Sequence, residues 1–310
     1  MLGLSTVTAR SFSLSATMGQ IKRVTVIGGG AMGSGIAQVA AQAGQQVTIV
    51  DQKQDLLDKS LKGIQTSLQR VVKKKFADDP KTGEEFLKKT LGLIKTSVSA
   101  EDSVKDTDLV VEAIVENIEI KQKLFASLDK AAPASVIFAS NTSSLSITEI
   151  ASATDRKDRF GGLHFFNPVP VMKLLEVIRC SETSDDTNQK ITDWGKAIGK
   201  TTIACKDTPG FVVNRLLVPT MMEAVRMLER GDASARDIDI GMKLGAGHPM
   251  GPFELADYVG LDVTKFIIDG WHKKFPDNPL FNPSPLLNKL IAENKLGMKT
   301  GEGFYKYDKK

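Results

Sequence analysis

Cysteine and histidine are scarce in this 310-residue chain, which has 2 of the first and 3 of the second. Cys180 and Cys205 cannot form a disulfide framework or a four-cysteine zinc site, and so sparing a use suits a reducing compartment. His164, His248 and His272 lie far apart along the chain, which speaks against a structural metal site. Long apolar runs are missing as well. A membrane-crossing helix needs roughly 18–20 apolar residues, and the longest stretches here are soon broken by Asp, Lys or Gly. Nor is charge of one sign in excess. The 41 Lys and Arg stand against 37 Asp and Glu, a net +4, well short of the concentrated basicity of a nucleic-acid binder. The chain carries no G-x-x-x-x-G-K-[ST] phosphate loop and no G-x-S-x-G elbow, which sets aside nucleoside-triphosphatase and hydrolase chemistry.

One further absence is local: no Asp or Glu occurs before Asp51. Residues 1–20 are rich in Ser and Thr and carry Arg10, while Ser5, Thr6, Arg10 and Ser11 interrupt any apolar core of a secretory signal. A basic, hydroxyl-rich, acid-free start predicts an organellar transit peptide, mitochondrial in preference, lying outside the fold. A merely disordered N-terminal tail has the same composition.

What remains is an ordinary globular composition, 41% hydrophobic and 25% charged, at a length that suits about two domains. Arg23 to Ile27 reads as a buried strand, Met32 to Ala43 as a helix, and Gln46 to Val50 as a second strand ending at Asp51, together a βαβ unit. Leu57, Leu61, Ile64, Leu68 and Val71 then recur at helical spacing, opposite a polar face ending in Lys73-Lys74-Lys75, before a break at Asp78-Asp79-Pro80. Further strands are predicted at Asp108 to Ile114, Ser135 to Ala139, Phe160 to Phe165 and Leu174 to Ile178, giving a mostly parallel sheet. Past Lys206 the periodicity is helical, beginning with Phe211 to Glu229. The predicted organisation is an α/β domain over 21–206 followed by an all-helical domain over 207–310.

Gly28-Gly29-Gly30-Ala31-Met32-Gly33 matches G-x-G-x-x-G. It follows a strand, opens a helix, and is followed eighteen residues beyond Gly33 by Asp51 at the tip of the next strand. That is the full context of a dinucleotide fingerprint on a Rossmann-type sheet. Gly28 permits the tight turn, Gly30 lets the backbone approach a pyrophosphate, and Gly33 lets helix and strand pack closely, while the helix N-terminus favours the phosphate charge. Asp51 accepts hydrogen bonds from a ribose diol and repels a 2′-phosphate, so the cofactor read here is NAD rather than NADP.

Three further stretches carry a resemblance: Ser140-Asn141-Thr142-Ser143-Ser144, His164-Phe165-Phe166-Asn167-Pro168-Val169-Pro170-Val171-Met172, and Asp207-Thr208-Pro209-Gly210-Phe211-Val212-Val213-Asn214-Arg215. With Gly251-Pro252-Phe253 and Lys299-Thr300-Gly301-Glu302-Gly303-Phe304-Tyr305, they follow the order of motifs in the L-3-hydroxyacyl-CoA dehydrogenase family, which the chain resembles from about Ile21 to its end. The resemblance implies NAD-dependent oxidation of a (3S)-3-hydroxyacyl-CoA to 3-oxoacyl-CoA in fatty-acid β-oxidation in the mitochondrial matrix. It also implies a homodimer joined through the helical domain.

The chemistry of the residues agrees. Oxidising a secondary alcohol needs a base for the hydroxyl proton, and histidine, with an ordinary pKa of about 6.5, suits that task near neutrality. His164 ends a predicted strand, where open α/β sheets place ligands, and Glu176 lies on the next strand, past the Asn167-to-Pro170 turn, so that the two face each other across a hairpin. A carboxylate there orients the ring and stabilises imidazolium, although spacing alone also fits a structural pair. By resemblance Ser143 and Asn214 complete the catalytic set and touch substrate, and Ser143, Asn167, Glu116, Lys121 and Lys299 contact NAD beside Gly28 to Gly33 and Asp51. Lys74 takes a coenzyme A phosphate. Helix caps and turn chemistry also account for Ser143 and Asn167, a solvated helix end for Lys73 to Lys75, and plain surface solvation for Glu116, Lys121 and Lys299. His248 is expected to pack, His272 to sit on a helix surface, and both cysteines to be structural. Some relatives serve as lens structural proteins, and a non-enzymatic NAD binder would keep the glycine turn; it need not keep His164, Glu176, Ser143 and Asn214 together. A dehydrogenase of another small hydroxy acid is the alternative among enzymes.

Overall fold

The computed structural model describes residues 21–308, so the predicted transit segment lies outside the described residues. Eight strands form one sheet: β1 (Arg23–Ile27), β2 (Gln46–Val50), β3 (Ile94–Ser97), β4 (Leu109–Glu112), β5 (Ile137–Ser140), β6 (Phe160–Phe165), β7 (Leu174–Arg179) and β8 (Thr201–Lys206). Their order is β3-β2-β1-β4-β5-β6-β7-β8, and every neighbouring pair is parallel except β6 and β7. The order reverses between β1 and β4, since the chain winds outward to β3 and returns to lay β4 on the other side. Open sheets bind ligands in the crevice at such a switch. The short runs of β4 and β5 are wholly buried, as strands covered by helices on both faces must be.

β3 and β8 are not among the strands read from the sequence. They form the two edges of the sheet, so their residues stay half exposed and lack the continuous apolar run that marks a central strand.

Apolar clusters cover both faces. One joins Val24, Val26, Ile36, Leu57, Ile64 and Leu68, which places the predicted stripe of the helix Gln54–Lys75 against the sheet. The other is built on Phe125, Phe138 and Phe160, packed ring against ring. In the helix Ala31–Gln42, a Cβ on Gly33 would strike the carbonyl of Gly28, which is the close approach the motif requires.

After β8 the described chain is helical, and its largest apolar cluster includes Val218, Met222, Leu261, Ile268 and Trp271. The helix Val213–Arg230 starts two residues later than the periodicity suggests, because Gly210 and Phe211 both take positive φ, 77° and 51°, and turn the chain first. Two buried carboxylates hold the C-terminal stretch down. Asp239 accepts hydrogen bonds from the Phe253 and Glu254 amides and the Tyr305 hydroxyl, and Asp257 from the Phe304 and Tyr305 amides and the Tyr307 hydroxyl. Burial, with a smaller push from Asp239, raises the Asp257 carboxyl above the usual carboxylate range. His248 does not pack as expected: it follows the left-handed Gly247 and is exposed. His272 is half-buried rather than on the surface.

Candidate active site

The glycine turn and Asp51 meet at the C-terminal ends of β1 and β2. Asp51 Oδ2 accepts the Gly29 amide at 2.7 Å, so the carboxylate is fixed beside the turn. Gly30 begins the helix Ala31–Gln42 with no side-chain cap, and a Cβ added to it would meet nothing within 4 Å. The first-turn amides therefore remain available to an anion. Bare helix-terminal amides, a carboxylate at the strand tip and open space over Gly30 fit a dinucleotide. An open groove runs from this turn along the helix Gln54–Lys75, lined by Ala31, Asp51, Ser60, Ser67, Asn167 and Pro170.

His164 and Glu176 are directly opposed in the antiparallel β6–β7 register, so both side chains leave the sheet on the same face. Both are buried. His164 Nδ1 lies 2.6 Å from Glu176 Oε2, and Nε2 lies 2.9 Å from the Ser143 hydroxyl. A carboxylate at Nδ1 holds the ring proton there and leaves Nε2 as the basic nitrogen, facing Ser143. The other Glu176 oxygen accepts the backbone amides of Val212 and Val213 at 3.1 and 2.9 Å, at the start of the helix Val213–Arg230. Burial pushes the Glu176 carboxyl up, but His164 and the two amides outweigh it and hold the group below its usual range. Phe166 and Phe211 flank the imidazole, with ring centroids at 4.6 and 5.5 Å.

Ser143 is not a helix cap. Ser146 and Asp207 cap the short helix Ile147–Ala151, Ser146 through the Glu149 amide and Asp207 through the Ile147 and Thr148 amides. The Ser143 hydroxyl is thereby left for His164. Its loop is held by Glu116, whose Oε1 accepts the Ser143 and Ser144 amides at 3.1 and 3.2 Å and the Thr142 hydroxyl. Desolvation opposes ionisation of Glu116, yet the Lys121 cation and these donors hold its carboxyl below the usual range. Lys121 is an interior residue, not a solvent-facing one. Its Nζ lies 2.5 Å from Glu112 and 3.3 Å from Glu116.

The structure thus joins Ser143, His164 and Glu176 in one hydrogen-bonded chain, with Glu116 and Lys121 behind Ser143. Asn214 is half-buried, one residue beyond the Val213 amide that Glu176 binds. Met32, Glu116, Ser143, Asp262 and Phe266 line a cleft between sheet and helical domain, and Lys299 stands at its edge paired with Asp262. Asn167 is exposed on the hairpin connection and lines the groove; its peptide bond to Pro168 is cis. Lys74 is exposed near the end of its helix, seven residues beyond Ser67, the last residue of that helix to line the groove.

Sequence reasoning missed Glu112 and Asn141. Glu112 accepts the Ile114 amide, Lys121 and the Ser140 hydroxyl, and Asn141 Oδ1 accepts the Phe165 amide at the end of β6. An acid ending an otherwise apolar strand, Leu-Val-Val-Glu, was the available signal for the first.

Residues 23–208 match the family model described as 3-hydroxyacyl-CoA dehydrogenase, NAD binding domain, and residues 210–307 the one described as 3-hydroxyacyl-CoA dehydrogenase, C-terminal domain. The chain is 65% identical over 295 residues to the Homo sapiens protein named hydroxyacyl-coenzyme A dehydrogenase, mitochondrial, across 95% of this chain and 94% of that one. It is 63% identical over 304 residues to the Sus scrofa protein of the same name, across 96% and 97%. Among solved structures, (S)-3-hydroxybutyryl-CoA dehydrogenase from Ralstonia eutropha is similar with a TM-score of 0.88 at 43% identity, covering 94% of this chain and 100% of that one.

Proposed function

The chain belongs to the 3-hydroxyacyl-CoA dehydrogenase family and is an NAD-dependent oxidoreductase, and on that premise we propose that it oxidises (3S)-3-hydroxyacyl-CoA to 3-oxoacyl-CoA with His164 as general base. The observation that carries this reading is the continuous chain from Ser143 through His164 and Glu176 to the amides of Val212 and Val213.

His164 Nε2 takes the proton of the 3-hydroxyl. The imidazolium that results is stabilised by Glu176, which is already ionised and needs no rearrangement to face it. Ser143 holds the hydroxyl in line with Nε2, and Asn214, at the start of its helix, supplies an amide to the developing oxygen charge. NAD, when bound, accepts the hydride. Gly28, Gly29, Gly30, Ala31, Met32 and Gly33 would cradle its pyrophosphate and Asp51 its adenosine ribose, while Glu116, Ser143, Asn167 and Lys299 bound the remainder of the site and Lys121, buried behind Glu116, touches it only through that carboxylate.

Ser60, Ser67 and Lys74 recur at seven-residue spacing on one helix face, which supports a coenzyme A phosphate at Lys74. Leu216, Leu244 and Tyr258 are exposed apolar residues on the helical domain, of the kind that a second copy of the chain would cover; sedimentation at micromolar concentration should report twice the chain mass, and a monomer would refute it. The names of the human and pig relatives, with the acid-free residues 1–20, support a mitochondrial matrix enzyme of fatty-acid β-oxidation. N-terminal sequencing of native protein should find the leader removed, and an intact Met1 would end that reading.

The deciding assay follows NADH formation from 3-hydroxybutyryl-CoA and from free 3-hydroxybutyrate. Turnover of the thioester alone, lost in His164→Gln, is the expected result. Equal turnover of the free acid would instead assign a small hydroxy-acid dehydrogenase.

A further inference from the structure

Lys200 is a buried lysine that the reaction does not use. It follows the left-handed Gly199 in the turn between the helix Asp185–Ala197 and β8, and only 8% of its surface is exposed. Lysine is almost never so buried without a carboxylate. Here Nζ donates instead to two backbone carbonyls, those of Val169 and Met172, the second at 2.7 Å. The Phe165 ring lies beneath it, with its centroid 6.0 Å from Nζ. Desolvation, helped by the like charge of Lys173, pushes the ammonium down to about 8, so keeping this cation inside the protein is costly.

Both carbonyls belong to the connection between β6 and β7. That connection is a tight turn in which the Val171 and Met172 amides return to the Pro168 carbonyl. One side of it presents Asn167, Pro168 and Pro170 to the dinucleotide groove. Another inserts the buried Val169 over Gly35 of the helix Ala31–Gln42, so closely that a Cβ on Gly35 would lie 2.7 Å from the Val169 Cβ. Its two ends lead into His164 and Glu176. Three sides are therefore set by the groove, the phosphate-binding helix and the strands, and Lys200 closes the fourth by neutralising two carbonyl dipoles that would otherwise face the interior unpaired.

We propose that Lys200 is a positioning residue for the dinucleotide: by gripping the Val169 and Met172 carbonyls it holds the β6–β7 connection against the helix Ala31–Gln42 and keeps Asn167 in the groove. The proposal rests on the assignment of Asn167 to the NAD site. A residue with this role acts on cofactor affinity more than on turnover, because the His164–Glu176 register is secured independently by the β6–β7 ladder. A generic stability role would instead lower every readout together.

Lys200→Met keeps the length and apolar stem but removes all donors, Lys200→Arg keeps donors and charge, and Asn167→Ala tests the premise. NADH dissociation constants from fluorescence titration, KM for NAD, kcat and melting temperature are measured on the full chain. In Lys200→Met the NADH constant and KM should rise roughly tenfold, the scale of a lost charge-assisted contact, with kcat changed by less than about twofold. Lys200→Arg should recover most of the affinity, and provides the test should the Met variant fail to fold: tight NADH binding by the Arg variant then supports the grip, and weak binding with normal melting refutes it. If Asn167→Ala weakens NADH while Lys200→Met binds it normally, the grip is refuted and the Asn167 assignment stands. If Asn167→Ala binds normally while Lys200→Met is weakened, the Asn167 assignment falls and the hold on the connection is retained. Parallel loss of affinity, kcat and melting temperature in Lys200→Met would overturn the proposal.

Discussion

Glu176 in the sheet domain and Asp257 in the helical domain are both wholly buried and have nearly the same donors. Each accepts two backbone amides and one side-chain donor, an imidazole for Glu176 and a phenol for Asp257. They respond in opposite directions, Glu176 held below its usual range and Asp257 raised above it. Hydrogen-bond count does not decide the matter, since it is three in both. Burial pushes both carboxyls up; at Glu176 the His164 contact and the two amides outweigh it, whereas at Asp257 the amides and the phenol do not, and the nearby Asp239 anion adds a smaller push in the same direction. On the proposed reading, one buried acid stabilises a charge that appears during turnover. The other is a latch on the C-terminal stretch.

That contrast predicts its largest effect at Glu176. Glu176→Gln keeps size but removes the charge and turns one amide donor toward groups that themselves donate, so kcat should fall by about 10²- to 10⁴-fold while NADH binding persists and stability drops by no more than the about 1–3 kcal/mol of a mispaired amide. The double variant with His164→Gln should lose far less than the product of the single losses. Multiplicative losses would separate the two residues.

Asp257→Asn is the mirror experiment. An amide there turns a donor toward groups that themselves donate, so the expected cost is about 1–3 kcal/mol of stability, with kcat nearly unchanged. A collapse of kcat comparable to that of Glu176→Gln would erase the distinction between the two acids.

The third test uses pH. Glu176 and Glu116 have folded values below the usual 4.5, so their contribution is full above 4.5 and is lost as pH falls toward the folded values. Asp257, raised above 3.8, has the reverse sign: its ionised form costs stability, and that cost fades as pH falls through its folded value. Trp194 is buried in the sheet domain and Trp271 in the helical one. With each tryptophan in turn replaced by Phe, acidification from pH 6 to about 4 should lower the stability reported by Trp194 more than that reported by Trp271. Coincident curves would show that the domains unfold as one unit.

The smallest effect belongs to a charge that is not buried at all. Lys74→Ala should raise KM for the thioester a fewfold at low salt, with the difference shrinking as salt screens it. An unchanged KM would return Lys74 to the solvated surface.

The sequence showed the local parts of this design and hid the remote ones. A turn that only glycine fits, an acid at a strand tip and a histidine and glutamate flanking a proline-containing connection are marks left in short stretches of chain, and all lie in the predicted elements. Lys121 and Lys200 look like any surface lysine in sequence, because what buries them comes from elsewhere: Glu112 on β4 for one, the β6–β7 connection for the other. Asp239 and Asp257 are unreadable for the same reason, since their partners lie near the end of the chain. β3 and β8 escaped because an edge strand buries too little to leave a pattern.

The Val212 and Val213 amides that bind Glu176 begin the first helix after the sheet, so the proposed base is braced by a part of the chain made after the sheet. A chain in which that helix had not yet docked would hold the histidine–glutamate pair without its brace. On the proposed reading, catalytic competence would then be gained only with the docking of the helical domain.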